Sequence, residues 1–306
     1  MSPIPPALSA DRIEVTAGAF RFAASAVAFR AGAVTAIVGP NGSGKSTLLE
    51  ALLGLRRARV DNGRILGMPA ARFMGDTAQR RHLGAQLQRV EYTDDVRVDE
   101  IVELHRALYR RQEADVARAL AIDALAGKPY RGLSKGQRQR LDLFVALAHR
   151  PALAVLDEPF AGLDRSATRS VLDLLRALAG ETTVVMICHA GEELEAVDDL
   201  LWVRDGGIRY HGAKAALKRE LVGACRAFIH VDDDAQARHV HALLAADAHV
   251  ARVIAPGPRV IGAFGDAGLD KTLRALMESA PIRHFEFAPT DDSDLLRACT
   301  QGEPGV

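Results

Sequence analysis

Residues 33–55 read AVTAIVGPNGSGKSTLLEALLGL. Ala33 to Gly39 is a short apolar run rich in β-branched residues, which suits a buried strand. From Ser46 onward, apolar residues recur at helical spacing. Between the two lies Gly39-Pro40-Asn41-Gly42-Ser43-Gly44-Lys45-Ser46, followed by Thr47, which matches the phosphate-loop pattern G-x-x-x-x-G-K-[ST]. Its glycines let backbone N–H groups curl around phosphate oxygens without a Cβ in the way. A helix that starts there turns the positive end of its dipole toward the same oxygens. Lys45 is expected to bridge the β- and γ-phosphates, and Ser46 to ligate Mg²⁺.

Working outward, Leu153-Ala-Val-Leu-Asp157-Glu158-Pro159 ends an apolar strand on two adjacent carboxylates. Neighbouring side chains of a strand point to opposite faces. The chain leaves regular strand geometry here, so both acids can reach one site. Asp157 is expected in the magnesium shell and Glu158 as the general base that polarises the attacking water. GQRQRLDLFVALAHR reads as a helix that stops before Pro151, SATRSVLDLLRALAG as a crossover helix, and TTVVMICH as another buried strand. Strands alternating with helices indicate a parallel α/β sheet. Upstream, IEVTAGAF and RFAASAVAF read as short antiparallel strands, and Val90 to about Ala126 is mostly helical in pattern. LLWVRDGGIRYHG reads as a closing hairpin that ends the first domain near Ala213.

With these motifs in place, the chain resembles the nucleotide-binding domain of the ABC ATPase superfamily over about two thirds of its length. The most specific element is Leu133-Ser134-Lys135-Gly136-Gln137, similar to the family's LSGGQ signature and set at a helix start. The resemblance implies that Ser134, Gly136 and Gln137 reach across a head-to-tail dimer to ATP held by the other subunit. A serine hydroxyl with exposed helix N-terminal N–H groups makes an anion site. Lys135 departs from the usual glycine. The resemblance also implies a Q-loop glutamine that contacts magnesium, for which Gln88 fits and Gln86 is the rival. It implies a D-loop, Ala161-Gly162-Leu163-Asp164, and a switch histidine at His189. An aromatic that stacks on adenine is also implied, with Phe20 or Phe22 available.

The fold implied is a P-loop NTPase of the ABC ATPase type over residues 1–213: an α/β core, an antiparallel β subdomain and a helical subdomain. Residues 218–306 read strand, helix, strand, strand, helix, strand, the βαββαβ order of a small ferredoxin-like α+β domain. That module carries no phosphate loop and no acid–base pair, so a regulatory or dimerisation role is expected. The function implied is an ATPase subunit that drives a separate transmembrane permease through ATP-dependent dimerisation with a second ATPase subunit, more readily a homodimer than a heterodimer. LSKGQ and the C-terminal extension resemble exporters; a non-transport assembly ATPase is the alternative.

Bulk properties agree with this reading. With 306 residues and 48% hydrophobic content, the chain can bury one large core and a small one. Lysine and arginine equal aspartate and glutamate at 39 each, so no basic field points to nucleic acid. Cys188, Cys225 and Cys299 are an odd, scattered set that suits a reducing compartment. The first residues do not read as a signal peptide, and no run approaches the ~20 apolar residues of a membrane span. A peripheral place on the cytoplasmic face of the membrane, held by the permease, is therefore expected.

Overall fold

The computed structural model describes residues 4–87, 92, 93, 95–110, 114–279, 282 and 284–300. The chain folds as two units, Met1–His189 with Glu193–His211, and Ala190–Glu192 with Gly212–Val306.

In the first unit, strands β1 (Leu8–Ala17) and β2 (Phe20–Phe29) form an antiparallel hairpin paired from Leu8–Phe29 to Ala17–Phe20. Each strand has ten residues, longer than the short strands expected from sequence. Alanines and charges dilute the apolar alternation in both, so pattern alone understates a ladder that backbone pairing completes. Strand β3 (Val34–Val38) runs into the phosphate loop, and helix α1 (Lys45–Leu52) leaves it. Short strands β4 (Arg59–Asp61), β5 (Arg64–Ile65) and β6 (Met68–Pro69) join the hairpin in one antiparallel sheet. Two short helices, α2 (Ala70–Gly75) and α3 (Thr77–Arg80), precede β7 (Leu83–Gln86).

The helical region holds α4 (Val98–Tyr109), α5 (Ala114–Ala119) and α6 (Lys135–Leu147). Then come β8 (Leu153–Asp157), α7 (Arg165–Leu178), β9 (Thr183–Ile187), β10 (Asp199–Arg204) and β11 (Gly207–Ala213). The second sheet has the order β11-β10-β3-β9-β8-β7, with β10, β3, β9, β8 and β7 mutually parallel. All five residues of β3 and of β9 are buried, as expected of parallel strands covered on both faces. Helix α7 places Val171, Leu172, Leu175 and Leu178 on its buried stripe.

In the second unit, α8 (Lys214–Leu221) takes in residues 214–217, which the sequence reading leaves as a short linker between its two domains. The unit continues with β12 (Cys225–His230), α9 (Asp234–Ala245), β13 (Val250–Gly257), β14 (Val260–Gly265), α10 (Leu269–Ser279), β15 (His284–Pro289) and α11 (Asp292–Thr300). Its sheet order is β13-β14-β12-β15, all antiparallel, which is the ferredoxin-like arrangement. Ala227, Ile229, Val240, Leu244, Leu273 and Leu276 belong to its own core. The acidic stretch after Pro289 forms helix α11, with Leu295, Leu296 and Cys299 buried.

Gly84 shows how tightly α6 lies on the sheet. A Cβ there would meet the Ala146 carbonyl oxygen at 1.9 Å. We expect Gly84→Ala to lower the unfolding free energy by about 1–3 kcal/mol, the cost of overpacking a close backbone contact. Denaturant unfolding measures it, and an unchanged midpoint would show that the sheet and helix have slack.

Candidate nucleotide site

The phosphate loop sits where β3 ends and α1 begins. Gly44, the residue before the helix, has φ +107°, a conformation that L side chains rarely adopt. A Cβ there would also lie 2.8 Å from Phe22 and 2.9 Å from Phe20. The loop needs this glycine for its turn and for the rings packed beneath it. Lys45 is buried, and its Nζ donates to the loop's own carbonyls, Gly39 O at 2.9 Å and Pro40 O at 3.0 Å. Burial pushes its pKa down, against the pull of Glu158 and Asp157. Ser43 Oγ is buried with no hydrogen-bond partner.

A cleft of about 570 Å³ opens above the loop. Asn41, Gly42, Gly44, Lys45, Ser46 and Thr47 line it, together with Phe20, Glu158 and His189. Phe22 is fully buried in the core, whereas Phe20 is partly buried at the cleft wall. The structure thus separates the two aromatics that the sequence left open.

Asp157 closes β8, and Glu158 follows it with φ +52°, in the left-handed region. That single residue of strained backbone breaks the strand alternation and lets two neighbouring acids serve one place. Glu158 Oε1 lies 3.1 Å from His189 Nε2. The His189 N–H donates to Glu193 Oε2 at 2.7 Å, which holds the strand end after β9. Burial pushes the Asp157 carboxyl above its usual range and Glu158 adds to this, while the neighbouring Ser46 hydroxyl and His189 oppose it.

Two glutamines hold the acidic turn. Gln86 Nε2 donates to Asp157 O at 3.1 Å, and Gln139 Nε2 donates to Glu158 O at 3.2 Å and Pro159 O at 2.8 Å. Gln139 gave no signal in sequence, since nothing distinguishes a glutamine within a helix. Gln86 gave one, as the rival for the Q-loop glutamine, and the structure places it buried at the end of β7. Its Oε1 is buried with no hydrogen-bond partner. Gln88 lies outside the described residues.

The remaining candidates are not in the cleft. Ser134 caps α6 in a capping box with Gln137: Ser134 Oγ accepts from Gln137 N at 3.3 Å, and Gln137 Oε1 accepts from Ser134 N at 3.0 Å. Asp164 caps α7, accepting from Ala167 N at 2.8 Å. Both are exposed. The segments that carry them meet in the fold, because a side chain at Gly136 would touch the Gly162 carbonyl oxygen at 2.6 Å. The Lys135 stem lies over Gly162, which gives the departing lysine a packing role.

Phosphates and a divalent cation fit these groups. The loop offers a buried lysine whose hydrogen bonds among the described residues run to carbonyls, an orphaned serine hydroxyl and a glycine turn. Ser46, Asp157 and the bare Gln86 Oε1 are hard oxygen donors of the type Mg²⁺ takes.

Comparison with known proteins agrees. The ABC transporter family profile matches residues 23–161. The chain is 30% identical over 280 residues to the molybdenum import ATP-binding protein ModC of Rhodobacter capsulatus, covering 86% of this chain and 74% of that protein. It is 30% identical over 203 residues to the probable multidrug ABC transporter ATP-binding protein YbhF of Escherichia coli, covering 63% of this chain but spanning only 34% of that protein's length. A solved structure of an ATP binding subunit of an ABC transporter superposes with TM-score 0.61 at 23% identity, over 69% of this chain and 92% of that one, a likeness of fold.

The raised Asp157 pKa has a consequence for stability. A carboxylate whose folded pKa lies above its unfolded value costs stability when ionised, and the cost disappears below the unfolded value near 3.8. Asp157→Asn is therefore expected to raise the melting temperature of the nucleotide-free protein at pH 7. The gain should shrink as pH falls through the raised folded pKa and vanish below about 4. Melting curves across that range check it; a gain independent of pH would remove burial of the charge as its cause.

Proposed function

The chain belongs to the family of ABC transporter ATP-binding subunits, and from that membership we propose that its cleft binds ATP with Mg²⁺ and hydrolyses it to drive a transmembrane permease. The single observation that carries this reading is the 3.1 Å Glu158–His189 pair at the mouth of the phosphate loop. It supports Glu158 as the general base and His189 as the group that orients it and reaches the γ-phosphate. Lys45 leaves the Gly39 and Pro40 carbonyls for the β- and γ-phosphates. The loop from Gly39 to Thr47 supplies N–H groups and hydroxyls, and Phe20 supplies the adenine platform. Ser46, Asp157 and a Q-loop glutamine, Gln88 with Gln86 beside it, would hold Mg²⁺. The ion would neutralise charge on the phosphates.

We assign Ser134, Gly136, Gln137 and Asp164 to the nucleotide of a second subunit in a head-to-tail homodimer. The exposure of Ser134 and Asp164 and the absence of all four from the cleft of their own chain support this. The second unit takes a regulatory or dimer-contact role. We place the subunit at the cytoplasmic face of the membrane, held by the permease, from its family membership; no described helix is long and apolar enough to cross a membrane. A chain that stays off membranes when co-expressed with its permease would count against this placement.

Export is our reading of direction, supported by the LSKGQ motif, the C-terminal unit and the likeness to a multidrug ATP-binding protein. Import is the second reading, favoured by the match to a molybdenum import protein over 280 residues. In vesicles carrying the permease with the ATPase outside, ATP should drive cargo inward. Outward movement would establish import.

Two variants test the chemistry. Lys45→Ala is expected to cut ATP hydrolysis by about 100-fold or more, since it removes the fixed cation on the transferring phosphoryl group. It should also weaken ATP binding. Parent-level turnover in the purified variant would refute the phosphate-loop role. Glu158→Gln keeps shape but not basicity, so hydrolysis should fall by about 10²–10⁴-fold while ATP binding persists. With ATP it should also run as a dimer in size-exclusion chromatography. A monomer saturated with ATP would sink the head-to-tail assembly.

A further inference from the structure

The sheet of the second unit has two faces. Ala227 and Ile229 face α9 and α10 in its core. On the other face, Phe228, Ile254 and Phe264 line a cavity of about 410 Å³ closed in part by α11. This size is typical of small-molecule pockets. Phe228 and Phe264 meet edge to face, with centroids 6.2 Å apart. Gly262 lets the walls close: a Cβ there would lie 2.7 Å from Ile254 Cγ1 and 3.0 Å from Phe228 Cε1.

Three charged residues complete the lining. Asp294 is buried, with 1% of its side chain exposed. Its Oδ2 accepts from Arg226 Nη1 at 2.5 Å and from Asp291 N at 2.9 Å. Its Oδ1 is buried with no hydrogen-bond partner. An unpaired oxygen on a buried carboxylate is costly and rare. Arg252, half-buried, and Arg297, exposed along α11, also line the cavity, and neither forms an ion pair among the described residues. The cavity therefore presents an unused acceptor, two unpaired guanidinium groups and an apolar wall. A simple cation would face three arginines. A simple anion would leave Asp294 Oδ1 bare and lie beside it.

We propose that this cavity binds a small zwitterion with an apolar body, an apolar α-amino acid in size and charge. Its ammonium donates to Asp294 Oδ1, its carboxylate pairs with Arg252 and Arg297, and its hydrocarbon packs against Phe228, Ile254 and Phe264. The assignment gives the second unit a ligand of its own. It does not depend on nucleotide at the other site, because every residue named lies in the second unit.

Calorimetric titration of the full chain without nucleotide tests it, with L-leucine and L-phenylalanine as probes. At least one should bind. The N-acetyl derivative, which lacks the ammonium, and the corresponding amine, which lacks the carboxylate, should bind at least roughly tenfold more weakly, since each loses a charge-assisted contact. Arg297→Gln is a surface change and should leave the ligand-free melting temperature alone while weakening binding by a similar factor. Ile254→Trp should abolish binding by filling the wall. No binding of either probe up to about 10 mM, a concentration that would reveal even very weak complexes, overturns the proposal. So does equal affinity for the blocked derivatives, or parent-level affinity in both variants. A dimer that Arg297→Gln dissociates would place a second copy's side chain in the cavity, and that also overturns it.

Discussion

The first unit depends on holding a naked cation in place before any phosphate arrives. Lys45 is buried, and its only described hydrogen bonds run to two carbonyls of its own loop. Neutral carbonyls compensate an ammonium only partly, so burial pulls its pKa down. The compensation is local: it needs the loop to fold back over the helix start, which needs Gly44 at positive φ and the rings of Phe20 and Phe22 beneath. The fully buried strand β3 and the apolar face of α1 then supply the rigid frame on which the loop is strung. A loop left to itself would hydrate the lysine and lose its shape. The core stores, as electrostatic discomfort, what a polyphosphate would relieve.

The acidic side of the cleft follows a related logic with backbone strain. Glu158 sits at φ +52°, a conformation that a glutamate adopts only when its surroundings over-determine it. Those surroundings are two amide side chains. Gln139 ties the carbonyls of Glu158 and Pro159 to α6, and Gln86 ties that of Asp157 to β7. Because α6 starts at the Ser134 cap, the helix that carries the signature motif also fixes the turn that aims the candidate base. A shift at one end of α6 has a rigid path of hydrogen bonds to the other.

What the sequence disclosed and what it withheld follow from the range of the forces involved. The phosphate loop, the paired acids and the histidine after β9 were legible because each is a short motif whose neighbours in sequence are its neighbours in space. His189 still needed the fold to bring it 3.1 Å from Glu158. Gln139 was invisible, since its value lies in carbonyls about twenty residues away and a glutamine in a helix is ordinary. The long hairpin of β1 and β2 was underestimated because its ladder is made by backbone pairing that alanine-rich strands do not advertise. The first half of helix α8, residues 214–217, reads as a linker although KAALKREL has few breakers. Only Leu217 along it is buried, so the apolar stripe that usually signals a helix is nearly absent. Lys214 and Lys218 instead bind it to Asp292 of α11 at 2.9 and 3.2 Å.

Unsatisfied buried atoms are useful pointers to ligand sites only in combination with space. Ser43 Oγ lies in the phosphate loop and Gln86 Oε1 on the side chain that holds the acidic turn, and Asp294 Oδ1 belongs to the lining of a cavity. Thr35 Oγ1 is equally bare, yet it lies within a fully buried strand and lines neither the nucleotide cleft nor the cavity of the second unit. A hydroxyl there forfeits one modest hydrogen bond, a trade that a core tolerates. A carboxylate cannot make that trade, because a charge without partners costs far more to bury than a hydroxyl. Asp294 has one oxygen fully engaged by Arg226 and the Asp291 amide, enough to hold the side chain in place. The second oxygen is thus held oriented and unused beside an apolar wall, which is how a binding site differs from a packing defect.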